Sequence, residues 1–91
     1  MLHFRLLLLK QFSMENLLSR ITFSQGVLCG KPIIRGLRIS VAMILELLAK
    51  GANIQEILED YPELEIADIY ASLLYAHHLV ANEEVFERAV S

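Results

Sequence analysis

The twelve residues 29–40, CGKPIIRGLRIS, constrain the fold of this chain more than any other stretch. Pro32 cannot donate a backbone hydrogen bond, and Gly36 can take backbone conformations that are closed to other residues. We therefore expect two brief extended pieces, Ile33–Ile34 and Leu37–Ile39, that are hinged at Gly36. The first piece should lie at a sheet edge, because proline weakens the hydrogen-bonding ladder of a strand.

A short β-rich run, RITF at residues 20–23, precedes this stretch, and a helix follows it. Ser40 is a good N-cap, and the flanking Ile39 and Ile44 occupy the two positions of a hydrophobic staple. Apolar residues then recur at helical spacing up to Gly51, which is a typical C-terminal stop.

Two further helices are predicted beyond Gly51. Asn53 and Glu56 have the spacing of a capping box at the start of the second helix, and Pro62 ends it. The third helix is expected to run from about Glu65 to Leu79. Helical spacing assigns the inner face of this third helix to Ile66, Ile69, Tyr70, Leu73 and His77.

These elements predict a mainly α fold. A short N-terminal β element leads into a three-helix, helix-turn-helix-like (homeodomain-like) bundle over residues 20–80. Residues 1–19 are interpreted as an N-terminal extension, within which Met14 is an alternative start. Residues 81–91 form an acidic C-terminal tail that either extends the third helix or frays.

The chain is more apolar than a small domain needs to be. Of its 91 residues, 55% are hydrophobic, and the mean hydropathy is +0.47. A domain of this size buries only about 60–65% of its surface, so we expect a partner surface, and a symmetric homodimer formed through the N-terminal half is the simplest form.

The apolar run Leu6–Leu9 is too short for a membrane segment. The single cysteine, Cys29, excludes an intramolecular disulfide and favours a cytoplasmic setting.

Charge is distributed unevenly along the chain. Residues 1–51 carry seven cations and two anions, a formal charge of +5, whereas residues 52–91 carry nine anions and one cation, a formal charge of −8. Two interpretations are open. The acidic half is either an ordinary solvated face, or it is one of two surfaces that bind two different partners.

The opening stretch also resembles a known signature. GKPIIRGLRISV is similar to the pattern G-K-P-x-I-x-G-T-R-I-x-V of the domain of unknown function 433 family, and ILELLAKGANIQEILEDYPELEIADIYASLLYA fits the helical part of that family. The resemblance spans about Arg20 to Ala76. It implies a small antitoxin-like protein with a helix-turn-helix-type fold and a ribonuclease toxin of the PIN type as partner. Leu37 replaces the usual Thr, and Glu65 replaces a Ser or Thr cap, which implies a loosely started third helix.

Three cations in the signature are candidate DNA contacts. Lys31, Arg35 and Arg38 would be held on a rigid exposed frame, and phosphate is their natural ligand. The alternative is that they are ordinary surface cations. The turn positions in the chain have a structural interpretation; they are Gly30, Pro32, Gly36, Gly51 and Pro62.

The toxin contact is expected on the third helix and the tail. Apolar residues there would anchor the complex and acidic residues would attract a basic nuclease surface. The candidates are Tyr75, Leu79, Glu83, Glu84, Val85, Phe86 and Glu87. The alternative is that these acids only keep an apolar protein soluble.

Catalysis has little support in the sequence. His77 and His78 are adjacent and point to different sides of a helix, whereas zinc-binding helices place histidines four residues apart. His77 is interpreted as a histidine at the edge of the core. No nucleophile–base pattern is present, so we expect no enzyme activity, no catalytic or metal-binding residue and no cofactor.

Two functional classes remain. The first is an antitoxin that neutralises a PIN-type ribonuclease and binds its own operator DNA. The second is a stand-alone DNA-binding transcriptional regulator. The start of the third helix disfavours strong DNA reading, because Glu65, Asp68 and Ser72 are expected to face outward there and acidic side chains repel phosphates.

Overall fold

A computed structural model describes the backbone of residues 13–90 and the side chains of residues 13–82. Its elements in chain order are α1 (Met14–Leu18), β1 (Ile21–Thr22), a 3₁₀ turn (Leu28–Gly30), β2 (Ile33–Ile34), α2 (Val41–Ala49), α3 (Ile54–Asp60) and α4 (Ile66–Val90). The mainly helical architecture, with a short two-stranded antiparallel sheet near the N-terminus, confirms the predicted fold class.

Strand β2 lies between two neighbours. On one side it pairs with β1, with Ile34 opposite Ile21. On the other side Ile33 forms an antiparallel bridge with Ser40, and the Ile34 amide donates to the Ile39 carbonyl at 3.0 Å. In the described part of the chain the sheet has only the strands β1 and β2, so β2 is an edge strand as predicted, although its outer side carries this isolated bridge.

Pro32 is tolerated because it precedes the strand. Residues 33–34 and 39–40 form a hairpin that is connected by residues 35–38. The Pro32 carbonyl accepts a hydrogen bond from the Val41 amide at 3.0 Å, so Pro32 contributes to this hairpin without an N–H group. The predicted extended piece Leu37–Ile39 is not a strand, because residues 35–38 form the connection between Ile34 and Ile39.

A tight turn closes this hairpin. Arg35 and Gly36 both have positive φ angles, 45° and 74°, and the Leu37 amide donates to the Ile34 carbonyl at 2.7 Å. Positive φ at both central residues is the hallmark of a type I′ turn, whose twist suits a hairpin. The expected special conformation of Gly36 is confirmed. Arg35 takes the same left-handed region without the freedom of glycine, which is unfavourable unless other contacts hold it there.

The predicted helix caps are confirmed. Ser40 Oγ accepts from the Met43 amide at 3.0 Å. Asn53 and Glu56 form a complete capping box at the start of α3, and Gly51 ends the preceding segment with a φ of 100°. Each such cap contributes about 1 kcal/mol by satisfying amides that the first turn leaves unpaired.

The core joins the hairpin to all four helices. Its fully buried isoleucines are Ile33, Ile34, Ile44, Ile57 and Ile69. Leu17 of α1 is also buried and belongs to the same apolar cluster. The folded domain therefore begins before residue 20, within the segment that the sequence assigned to an extension. Residues 1–12 lie outside the described part of the chain.

The predicted inner face of α4 is largely wrong. Of its five members only Ile69 is buried; Ile66, Tyr70 and Leu73 are 42%, 37% and 44% exposed, and His77 is exposed as well. The residues that turn inward with Ile69 are Ala67, Asp68, Ala71 and Ser72.

The cause is the size of the side chains on that inner face. Alanine and serine let α4 approach α1 and the sheet closely, since short side chains hold the helix axes nearer together. Helical spacing of large apolar residues, the signal used for the prediction, does not detect such a face. Asp68 and Ser72, expected to point outward, are both fully buried.

Helix α4, which corresponds to the predicted third helix, continues through residue 80 to Val90. Residues 81–90 therefore extend this helix. Within the described part of the chain, no helix combines the length and the apolar character needed to cross a bilayer.

The place of α1 in the domain can be tested with Leu17→Ala. We expect it to lower the free energy of unfolding by about 2–4 kcal/mol, because it removes a buried side chain from the core. The matched control is Met14→Ala on the same helix, where the side chain is 56% exposed and little change is expected. Chemical denaturation of both variants measures this, and equal stabilities would show that α1 does not belong to the folded unit.

Candidate functional site

A buried aspartate organises the polar side of the molecule. Asp68 lies in the first turn of α4 and its side chain is completely inaccessible to solvent. Its Oδ1 accepts from Arg20 Nη1 at 2.9 Å and from Arg35 Nε at 3.1 Å. Its Oδ2 accepts from Arg35 Nη2 at 2.9 Å and from the Glu65 amide at 2.8 Å. The carboxylate is thus fully satisfied, as a buried charge must be.

Arg35 is held by its position in the hairpin turn. Its backbone amide donates to the Arg20 carbonyl at 2.8 Å, and its guanidinium donates to the Asp68 carboxylate through Nε and Nη2. Nη2 also donates to the Glu63 carbonyl at 2.7 Å. Two-point contacts between arginine and carboxylate are the strong class of charged hydrogen bond. They offset the unfavourable φ angle of Arg35.

Arg20, the residue just before β1, completes the cluster. Its Nη1 bridges Asp68 and Glu65 Oε1, the second at 2.7 Å. The Glu65 side chain is 60% exposed, whereas that of Arg20 is 27% exposed. The contact to Glu65 is therefore a surface ion pair of small net value, whereas losing the contact to Asp68 would remove a partner from a buried charge.

Asp68 also explains how α4 begins. It stands at the third helical position, and its carboxylate accepts from the backbone amide of Glu65 just before the helix. This is the reciprocal half of a capping box, which satisfies an amide that the helix leaves unpaired. The sequence predicted a loose start of this helix because Glu65 replaces a Ser or Thr cap. The start of α4 is capped nevertheless, because the Asp68 carboxylate supplies the cap.

The surroundings of Asp68 set its protonation. Burial alone would raise the pKa of this carboxyl, but hydrogen bonds from Arg35, from the Glu65 amide and from Arg20 outweigh burial and hold the pKa below its usual range. The hydrogen bond to Glu65 raises the pKa of Arg20, and the bond to Asp68 raises the pKa of Arg35. All three groups are charged at neutral pH.

A shallow open cleft of about 390 Å³ lies beside the cluster. It is lined by Asn16 and Ser19 from the end of α1 together with Arg20 and Arg35. Ser19 Oγ donates to the Asn16 carbonyl at 2.7 Å and so closes the end of the short helix. The cleft is polar, and its two cations have fixed positions.

The predicted DNA-contact residues are not equivalent in the structure. Lys31 and Arg38 are exposed, whereas Arg35 binds the Asp68 carboxylate and the Glu63 carbonyl. Replacing Arg35 would therefore disturb the fold as well as any DNA contact. A role for Lys31, Arg35 and Arg38 in binding DNA stays a prediction.

The predicted toxin-contact residues fall into three groups. Tyr75 is half-buried, packs on the core and stacks at a tilt against Phe23, with 6.3 Å between ring centroids. Leu79 is 50% exposed. The side chains of the other five lie outside the described residues; they are Glu83, Glu84, Val85, Phe86 and Glu87.

Sequence reasoning missed the cluster of Arg20, Arg35 and Asp68. The available signal was local: an aspartate at the third position of a helix, on the same face as the small residues Ala71 and Ser72. Its two partners lie 48 and 33 residues away in the chain, and helical periodicity carries no information about such distant pairs. Among the described residues, no group of three or more His, Cys, Asp or Glu side chains is placed to hold a metal ion.

Comparisons with known proteins identify relatives of this fold. The family described as "Protein of unknown function (DUF433)" matches residues 21–76, from β1 into the first half of α4. The chain is also similar to the crystal structure of a DUF433 member protein from Anabaena variabilis ATCC 29413. The TM-score is 0.59 at 26% identity, and the match covers 98% of this chain and 80% of that chain. No curated protein matches the chain.

The variant Asp68→Asn tests the charge of the cluster. It leaves two arginines without their buried counter-ion, and we expect a loss of about 2–4 kcal/mol in the free energy of unfolding at pH 7, moderated by the partial exposure of both arginines. Asp60→Asn, at an exposed position at the end of α3, is the matched control.

The same pair of variants gives a pH test. Because the pKa of Asp68 is lower in the folded chain than in the unfolded one, its contribution is full above about pH 4 and is lost as the pH falls through the folded pKa. Thermal unfolding should show the gap between wild type and Asp68→Asn shrinking below that pH. A gap that is constant from pH 7 to pH 2.5 would mean that Asp68 is not a charged partner of the arginines.

Proposed function

The chain belongs to the DUF433 family of proteins of unknown function, and we propose that it is an antitoxin-like interaction protein whose α4 helix docks onto a basic nuclease. The observation that supports this most is an apolar stripe on the outer side of α4. Ile66, Tyr70, Leu73 and Val80 are all at least partly exposed, by 37–58%. Together with His77 they follow one another at steps of four, three, four and three residues.

That spacing places the five side chains along one line of the helix. Steps of four and three residues keep a seam on one face over successive turns, as in helices that pack against a partner helix or groove. The core of the domain does not pack against these five side chains. It packs against the small residues on the inner face of α4 instead. An exposed apolar row of this length is typical of a binding surface.

The charge beside the stripe suggests which kind of partner binds. Residues 52–82 contain no lysine or arginine. Their carboxylates at Glu56, Glu59, Asp60, Glu63 and Glu65 are all exposed, on α3 and on the turn that leads into α4. An apolar row on a segment that has several exposed carboxylates and no lysine or arginine fits a cationic protein, since complementary fields speed the encounter and exclude acidic partners.

A ribonuclease has such a cationic surface, because it must attract RNA. A nuclease of the PIN type is the partner that the family resemblance implies, and the acidic side of this chain would compete with RNA for it.

The same charges disfavour α4 as a DNA-recognition helix, since Glu63 and Glu65 stand at its start. Binding to operator DNA is left to the exposed cations of the hairpin, Lys31 and Arg38. The homodimer inferred from composition and the cytoplasmic location stay proposals as well.

Leu73→Glu tests the docking surface. A charge in the middle of the apolar row should weaken the complex by about 30-fold or more, the usual effect of losing a central anchor. The partner to use is a purified PIN-type ribonuclease, mixed with the full chain, and the readouts are the dissociation constant and the cleavage of RNA by the nuclease. The control is Gln55→Glu, which adds the same charge at an exposed position on α3.

Two results would contradict the proposal. One is a Leu73→Glu protein that binds and inhibits the nuclease as well as the control does. The other is a wild-type chain that is a dimer by light scattering and becomes a monomer in Leu73→Glu, because the stripe would then be covered by a second copy. Circular dichroism of both variants establishes that each is folded.

A further inference from the structure

The cleft beside Asp68 has unused hydrogen-bond donors. Arg20 gives only Nη1 to the cluster, so its Nε and Nη2 have no acceptor among the described residues. Arg35 uses Nε and Nη2, and its Nη1 likewise has no acceptor in the described part of the chain. Both guanidiniums line the cleft, together with Asn16 and Ser19. The remaining N–H groups therefore belong to two arginines that line the same polar opening.

The two arginines are fixed before any ligand arrives. Asp68 holds Arg35 at two points and Arg20 at one, from a position with no access to solvent. A free arginine loses much side-chain freedom when it binds an anion, and a pair that is already ordered loses less. The planar guanidinium also matches the geometry of an oxyanion.

The charge of the cluster decides how an anion would compete. Asp68 neutralises one positive charge from a position with no access to solvent, and it also accepts from the Glu65 amide at the start of α4. Glu65 neutralises the second, but its carboxylate is 60% exposed and shares only Arg20 Nη1 with the cluster. An incoming oxyanion thus meets a single weak internal competitor, which can turn out into water.

We propose that this cleft binds a phosphate group between Arg20 and Arg35. A phosphate offers more acceptor oxygens than a carboxylate and up to two negative charges, so it can accept from the remaining N–H groups of both arginines. The phosphate belongs either to a small phosphate ester or to the backbone of a nucleic acid. Glu65 acts as a built-in competitor that sets the affinity. This site is separate from the outer stripe of α4 and does not rest on the proposed function.

The experiment is a titration of the full chain with inorganic phosphate at constant ionic strength, followed by NMR of the arginine Nε–H signals. In wild type we expect saturable shifts of the Arg20 and Arg35 signals. Glu65→Gln removes the competitor at an exposed position and should tighten binding about fivefold. Ser19→Glu places a carboxylate in the cleft and should weaken binding about tenfold or more.

Ser24→Glu is the matched control for Ser19→Glu, because Ser24 is an exposed serine that does not line the cleft. It should bind phosphate as wild type does. The proposal is overturned if Glu65→Gln binds no more tightly than wild type. It is equally overturned if Ser24→Glu and Ser19→Glu weaken binding alike, since the effect would then be general charge repulsion.

A second arm separates the two sources of phosphate. A short DNA duplex and a nucleoside monophosphate are titrated under the same conditions. If the duplex binds more tightly and responds to both Ser19→Glu and Glu65→Gln, the ligand is a nucleic-acid backbone. If only the monophosphate responds to these variants, the ligand is a small phosphate ester. A titration in which neither compound nor inorganic phosphate shifts the arginine signals contradicts the site.

Discussion

The structure depends on one requirement: the carboxylate of Asp68 has no access to water and must be matched by positive charge. Arg20, just before β1, and Arg35 in the hairpin turn supply that charge. A buried ion pair adds little net stability compared with a well-packed apolar alternative, but breaking one is strongly unfavourable. The cluster is therefore best understood as a device that permits one arrangement of the hairpin on α4 and penalises others.

Several local features follow from that arrangement. Arg35 accepts a left-handed backbone because its side chain is held by Asp68 and the Glu63 carbonyl. The start of α4 is capped from within by the same carboxylate. Turning Asp68 inward also brings Ala67, Ala71 and Ser72 inward, and it leaves Ile66, Tyr70 and Leu73 outside. The surface that we propose for a protein partner is thus a consequence of where the buried charge has to lie.

The sequence predicted what local signals encode. Ser40, Asn53 with Glu56, and Gly51 marked helix ends correctly, because a cap is a contact between residues three or four positions apart. The signature residues identified the family and its fold class. The prediction of the buried face of α4 failed because it depends on distant contacts: α4 buries its small residues and leaves larger apolar ones exposed. Which face of α4 is buried depends on Arg20 and Arg35, because both bind Asp68. The spacing of residues along the helix contains no information about these distant partners.

A double-mutant cycle between Arg35 and Asp68 measures the central interaction most directly. It compares the free energies of unfolding of wild type, Arg35→Gln, Asp68→Asn and the double variant at neutral pH. If the pair fixes the hairpin on α4, the second replacement should do little further harm, and the coupling energy should reach about 1.5–3 kcal/mol. Additive effects, with a coupling energy within about 0.5 kcal/mol of zero, would show that the two residues stabilise the fold independently and would contradict this account.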